Sequence, residues 1–244
     1  MIGVLAGVRL AICLGKPRGY SEETYWDMVP WMLIPGILGA RMWHVLMPSK
    51  SSGLSFEWYL QNPGEILAIW KGGLGIPGGV LGGVLGILAF CKRRKISFPK
   101  FIDTVAPGIA LGQAIGRWGN FVNQELYGRP SSLPWAITIE PAYRVPEYAD
   151  IATYHPLFLY ESMYNLLIVL CLWRIDHSEK IRLREGSLFL CYLIAYPTGR
   201  FFLEFLRLDT ALVGKINMNQ LIMAVTAVIS LILLIIRERS AEEK

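Results

Sequence analysis

Long apolar stretches alternating with short basic runs constrain this chain more than any other feature. In order, the stretches are Met1–Gly15, Val29–Met47, Ile66–Phe90, Phe101–Arg117, His155–Trp173, Gly186–Phe205 and Ile216–Ile236. Several approach the roughly 20 predominantly apolar residues that a helix needs to cross a bilayer. At 53% hydrophobic and 18% charged, with a mean hydropathy of +0.40, the 244 residues are too apolar for a soluble domain of that size. The expected class is therefore an all-α, polytopic integral membrane protein, with one transmembrane domain over residues 1–244.

The basic runs set the expected orientation. Lys16 and Arg18, then Lys92-Arg93-Arg94-Lys95, then Arg174, Lys180, Arg182 and Arg184, then Arg237-Glu238-Arg239 each follow an odd-numbered stretch. Cytoplasmic loops carry the excess of Lys and Arg, so the pattern predicts seven transmembrane helices with the amino terminus outside and the carboxyl terminus cytoplasmic. The net charge of +5, from 24 Lys and Arg against 19 Asp and Glu, is used up in these runs, and no nucleic-acid partner is expected. Met1–Gly15 would span only about 22 Å, against a hydrocarbon core of about 30 Å. A first membrane helix whose beginning is absent is expected there. A signal peptide would need a preceding basic region and a small-residue cleavage site, and the stretch has neither.

Cys13, Cys91, Cys171 and Cys191 lie in or at the ends of apolar stretches without paired metal-ligand spacing. They read as small core residues, not as a disulfide framework or a zinc site. In the third stretch Gly75, Gly79 and Gly83 repeat every fourth residue, as do Gly78, Gly82 and Gly86. Two smooth faces for close helix packing follow, with Pro77 expected to bend or interrupt the helix.

Polar groups concentrate where they are expensive. Gly116-Arg117-Trp118-Gly119-Asn120-Phe121-Val122-Asn123-Gln124-Glu125-Leu126-Tyr127-Gly128 follows an apolar run directly and opens a loop of about three dozen residues, long enough to be functional. His155, Tyr160 and Glu161 stand at the start of the fifth stretch, and Arg41 lies well inside the second. Tyr196, Arg200, Glu204 and Arg207 are spaced four, four and three, so one helical face carries all four. Under the expected orientation these groups converge on the outer side. Several arginines there suit a phosphate, which guanidinium groups grip in a bidentate manner, and Glu125, Glu161 and Glu204 would orient them. A phospholipid headgroup is the natural ligand. Taken one at a time the residues have plainer readings: Arg117 as a snorkelling cation, Asn120 as a turn cap, Arg200 and Glu204 as an intrahelical pair, His155 as a capping residue.

Gly116-Arg117-x-Gly119-Asn120-Phe121-x-Asn123-x-Glu125-x-x-Gly128-Arg129 resembles the signature of bacterial prolipoprotein diacylglyceryl transferases. Gly39-Ala40-Arg41, His155-Pro156 through Tyr160-Glu161, and Tyr196 through Arg200-Phe201 to Glu204 and Arg207 resemble the same family in the same order. The resemblance implies transfer of a diacylglyceryl group from phosphatidylglycerol to the lipobox cysteine of a prolipoprotein, in the bacterial plasma membrane, with no metal or organic cofactor. It implies catalytic roles for Arg117, Arg200, Glu204 and Tyr196. Substrate contacts are implied for Arg117, Asn120, Asn123, Glu125, Gly128, His155, Tyr160, Glu161, Arg207 and Arg41. This chain has Pro77 where many members carry a histidine or tyrosine, so a side chain there supplies no acid–base chemistry. A homologue that binds anionic phospholipid without transfer remains an alternative. A transporter would carry an inverted repeat, and none is visible.

Overall fold

The computed structural model describes residues 1–48, 53–179, 181–208, 212–213 and 216–239, which leaves Lys180 of the third basic run outside. Eight α-helices order the described chain: α1 (Ile2–Gly15), α2 (Glu22–Leu46), α3 (Phe56–Gln61), α4 (Ile76–Arg94), α5 (Phe98–Val122), α6 (Leu157–Asp176), α7 (Ser187–Leu203) and α8 (Met218–Arg239). Two short antiparallel pairs interrupt the helical pattern, β1 (Ile137–Thr138) with β2 (Thr153–Tyr154) and β3 (Leu212–Val213) with β4 (Ile216–Asn217). Among the described residues four helices are long and apolar enough to cross a membrane: α4, α6, α7 with its 3-10 continuation to Leu206, and α8. α1, at 14 residues, would span about 21 Å. The helical, membrane-embedded class read from the sequence therefore holds, with small β elements added.

The chain divides into two compact units, one of residues 16–101 and one of residues 1–15 with 102–244. In the first unit, Ser21 caps α2 by accepting from the Thr24 amide at 3.3 Å, and Glu22 and Glu23 in the first turn suit the positive end of the helix dipole. Hydropathy placed the start of this helix at Val29, because its first turns are charged. α4 packs on α2 through glycines. A Cβ at Gly78, Gly82 or Gly86 would overlap the backbone carbonyl of Gly39, Pro35 or Trp31, four residues apart on the facing helix. Gly79 and Gly83 look instead onto the Ala40 Cβ at 3.4 Å and the Met32 side chain at 3.7 Å. One of the two expected glycine faces is therefore the seam.

The third apolar stretch is not one helix. Ile66 to Gly75 forms short 3-10 turns and extended chain, and α4 begins at Ile76 with Pro77 in its first turn. Proline there loses no helical hydrogen bond and pre-sets φ, so Pro77 starts the helix and does not bend it. Lys92, Arg93 and Arg94, expected in a loop, form the last turn of α4, where cations complement the dipole, and Lys95 ends it in a left-handed conformation at φ +56°.

Arg41 is buried in this unit and organises the segment before α4. Its Nε donates to the Ile66 carbonyl (2.9 Å), Nη1 to Gly72 (2.7 Å) and Gly73 (3.1 Å), and Nη2 to Glu65 (2.6 Å). Gly72 and Gly73 take φ of +82° and +70°, and a Cβ at Gly73 would strike the His44 ring.

In the second unit α1 and α5 cross closely, Gly3 over the Gly112 carbonyl and Gly7 over that of Gly108. α5, α6 and α7 share a core of Ala106, Ala110, Ile168, Leu172, Leu188 and Tyr192. Asp103 of α5 accepts from the amides of Gly186 (2.6 Å) and Phe189 (2.8 Å), capping the start of α7 from a neighbouring helix. α7 and α8 pack along each other. The cysteines depart from the expected core placement: Cys91 is buried and Cys191 half-buried, but Cys13 and Cys171 are exposed on α1 and α6.

Candidate active site

α5, α6 and α7 bring the separately read polar groups together. α5 continues through the glycine-rich motif to Val122, so Arg117 and Asn120 lie on its last turns and not in the loop after it. Arg117 Nη2 meets Glu161 Oε1 of α6 at 2.9 Å. The same oxygen stands 3.9 Å from Arg200 Nε on α7, whose Nη2 is 3.2 Å from Glu204 Oε2. That oxygen in turn faces Arg207 Nε at 3.7 Å. The result is a ladder, Arg117, Glu161, Arg200, Glu204, Arg207, that crosses three chain segments. Its side chains are mostly out of water: Arg117 is 22% exposed, Arg200 12%, Arg207 10%, Glu161 7% and Glu204 1%.

Three guanidinium groups and two carboxylates alternate along the ladder. Guanidinium groups held in place and largely out of water suit the oxygens of an anion. Glu161 Oε1 and Glu204 Oε2 are buried yet make no well-aligned hydrogen bond with the cations they face. The ion pairs thus hold the guanidinium groups in place by charge. Tyr196 joins the same face, within electrostatic reach of Glu161, Arg117 and Arg200.

Beyond Arg117 the motif folds onto itself. Arg117 Nη1 donates to Asn120 Oδ1 (3.2 Å), and the amides of Asn120 (2.9 Å) and Asn123 (3.2 Å) both donate to Glu125 Oε1. Gln124 and Leu126, on either side of Glu125, hold positive φ of +51° and +54°. Such a conformation costs roughly 1–3 kcal/mol per non-glycine residue and concentrates at functional sites. Gly128 then pairs with Arg207 across an isolated bridge, its amide donating to the His155 carbonyl at 3.0 Å. Only glycine permits this approach: a Cβ at position 128 would lie 2.8 Å from His155 Cβ and 3.1 Å from the Leu206 carbonyl.

His155 is pinned on both backbone sides, accepting from Gly128 and donating to the Arg129 carbonyl (3.0 Å). Its Nδ1 lies 3.2 Å from the Tyr160 hydroxyl, which accepts from Trp135 Nε1 at 2.8 Å. The loop after α5 has a small core of its own, Tyr127, Ile139 and Tyr154. Tyr127 donates to the Tyr143 carbonyl (2.7 Å) and accepts from the Val145 amide (2.9 Å). Burial, with Tyr127 adding to it and Arg144 opposing it, pushes the Tyr154 phenol above its ordinary range.

Of the residues singled out in the sequence, Arg117, Asn120, Asn123, Glu125, Glu161, Tyr196, Arg200, Glu204 and Arg207 form one connected network, and Gly128, His155 and Tyr160 border it. Arg41 belongs to the other unit, where backbone carbonyls take its donors. Sequence reading missed Trp135, Ser162, Asn217 and Asn219. Ser162 links α5 and α6, donating to the Ala114 carbonyl (2.9 Å) and accepting from Trp118 Nε1 (3.3 Å). Asn219 Nδ2 donates to Glu204 Oε1 at 3.0 Å, with Asn217 Nδ2 at 3.4 Å. The available signal was two amides at i and i+2 just before the apolar face of α8, which read as a helix border. Among the described residues no cluster of metal-ligating side chains occurs.

The family model described as prolipoprotein diacylglyceryl transferase matches residues 1–236. A protein of Gloeobacter violaceus named phosphatidylglycerol–prolipoprotein diacylglyceryl transferase is 42% identical over 225 residues, covering 91% of this chain and 80% of its own length. Proteins of the same name from Trichormus variabilis and Bacillus cereus are each 40% identical, the first covering 90% of this chain and 76% of its own length, the second 98% and 86%. Family-wide similarity on this scale, joined to a charge ladder built from the signature residues, places the chain: it belongs to the prolipoprotein diacylglyceryl transferase family.

Proposed function

We propose that the protein transfers the diacylglyceryl group of phosphatidylglycerol to the cysteine thiol of a prolipoprotein lipobox, forming a thioether and releasing glycerol phosphate. The observation that carries this reading is the ladder itself, in which Glu161 and Glu204 hold Arg117 and Arg200 side by side and largely out of water. A phosphodiester is an anion whose two free oxygens suit paired guanidinium groups. Arg117 and Arg200 hold its oxygens. The cysteine sulfur, as thiolate, attacks the glyceryl carbon that bears the phosphate; the S–C bond forms as the C–O bond breaks, and the electron pair leaves on the glycerol phosphate oxygen. The leaving group therefore gains negative charge in the transition state. Fixed guanidinium groups in a water-poor site stabilise that charge without having to reorganise.

Glu161 and Glu204 orient the arginines, and Tyr196 steadies Arg117. Asn120, Asn123 and Glu125 shape the loop that carries Gly128, while His155 and Tyr160 line its edge. Arg41 holds the chain ahead of α4 through its backbone carbonyls. Seven membrane passes in one domain, with the amino terminus outside and the carboxyl terminus in the cytoplasm of a bacterium, put the ladder at the outer side, where the lipobox would meet it.

The test is mass spectrometry of a lipobox peptide incubated in detergent with the purified protein and phosphatidylglycerol. A peptide heavier by one diacylglyceryl group, with equimolar glycerol phosphate, is the expected result. A folded protein that binds phosphatidylglycerol and leaves the peptide unmodified would contradict the reading and support the binding-only alternative, which Pro77 motivates.

A further inference from the structure

Glu204 divides its two oxygens between different partners. Oε2 faces the arginines, Arg200 at 3.2 Å and Arg207 at 3.7 Å. Oε1 accepts from Asn219 at 3.0 Å and lies 3.4 Å from the Asn217 amide. The side chain is 1% exposed, so water does not supply these bonds. Asn217 is itself fixed, because its Oδ1 accepts from the amides of Asn219 (3.0 Å) and Gln220 (3.2 Å) and so caps the start of α8. Gln220 braces the same junction separately by donating to the Phe201 carbonyl at 3.3 Å.

A carboxylate with both oxygens available grips a guanidinium as a fork, using two N–H donors at once. Here the amides occupy one oxygen, so Arg200 is met through the other alone and no aligned hydrogen bond forms on it. We propose that Asn219, seconded by Asn217, is a positioning residue that keeps Glu204 from closing on Arg200 and so reserves the guanidinium donors for the lipid phosphate. The inference rests on the ladder being the phosphate site. Without the amides, Glu204 turns, chelates Arg200 through both oxygens, and competes with the phosphodiester for it. The amides thereby tune affinity for an anionic headgroup without touching it.

The experiment measures the dissociation constant for phosphatidylglycerol in detergent, alongside thioether formation and thermal melting, for the full chain and for Asn219→Leu, Asn219→Asp and Gln220→Leu. Asn219→Leu is expected to weaken lipid binding about tenfold, the scale of one lost hydrogen bond to a buried charged group. Asn219→Asp keeps the shape but sets a second anion against Glu204, and it is expected to weaken binding further than Asn219→Leu. A role confined to packing or to the helix start predicts the reverse order, since the acid is the closer mimic. Gln220→Leu is expected to leave binding within twofold while lowering the melting temperature. Lipid affinity within twofold of wild type in folded Asn219→Leu, or the order reversed, would overturn the proposal. Weakened binding in a protein that never makes thioether would uphold it and count against the transfer reaction instead.

Discussion

Single residues matter here through the charges they leave behind. Glu161 serves both Arg117 and Arg200, so Glu161→Gln leaves two half-buried cations without their shared anion. Removing one partner of a buried ion pair typically costs about 3–5 kcal/mol. A melting temperature clearly below wild type is expected, together with lost transfer. Arg117→Lys preserves the charge but not the planar fork, and it is expected to recover little of the activity that Arg117→Ala loses; equal activity in the lysine variant would argue for a mere surface cation. In the loop, Tyr127→Phe strands the Val145 amide and the Tyr143 carbonyl, with an expected cost of roughly 1–3 kcal/mol read in denaturant unfolding. The sequence displayed most of these residues. Arg117, Glu161, Arg200 and Glu204 stood out because charge inside apolar stretches is rare. It did not display Asn219, because an amide at the border of an apolar run is ordinary until the partner it reaches is known.

At the scale of elements, the glycine seam between α2 and α4 allows a sharp contrast. Gly82→Val forces a side chain into the Pro35 carbonyl, and overpacking of this kind costs about 1–3 kcal/mol or more. Gly83→Ala meets the Met32 side chain and carbonyl at 3.7 Å, ordinary contact, and is expected to leave the melting temperature no lower than wild type. If both substitutions are equally damaging, the seam is assigned to the wrong face. Pro77→Ala is also expected to be mild, since a first-turn proline bends nothing. Four-residue spacing made the glycine faces legible, but periodicity could not say which of two faces meets a neighbour. Hydropathy also missed the boundaries at both ends of the scale. It started α2 late because Glu22, Glu23 and Asp27 are charged, and it ran the third stretch as one helix because Ile66 to Gly75 is as apolar as the helix that follows.

For the whole molecule, the proposed orientation rests on charge alone: the positive-inside rule assigns every strongly basic run to the cytoplasmic side. With Cys13, Cys91, Cys171 and Cys191 first replaced by serine, Glu147→Cys in the long loop is expected to react with a membrane-impermeant maleimide applied outside intact cells. Arg239→Cys at the end of α8 is expected to react only after permeabilisation. The opposite pattern would invert the topology and place the ladder on the wrong side for an exported substrate.

The central claim is that Arg117 and Arg200 stabilise the departing phosphate, and paired transfer assays on Arg117→Ala and Arg200→Ala test it most directly. Each variant is run beside wild type with phosphatidylglycerol and a lipobox peptide, with melting curves to confirm folding. Losing one fixed donor to a developing oxyanion costs about 10²–10³ in rate, and each folded variant is expected to lose at least that much. A folded variant of either arginine that still makes thioether at more than a tenth of the wild-type rate would contradict the account.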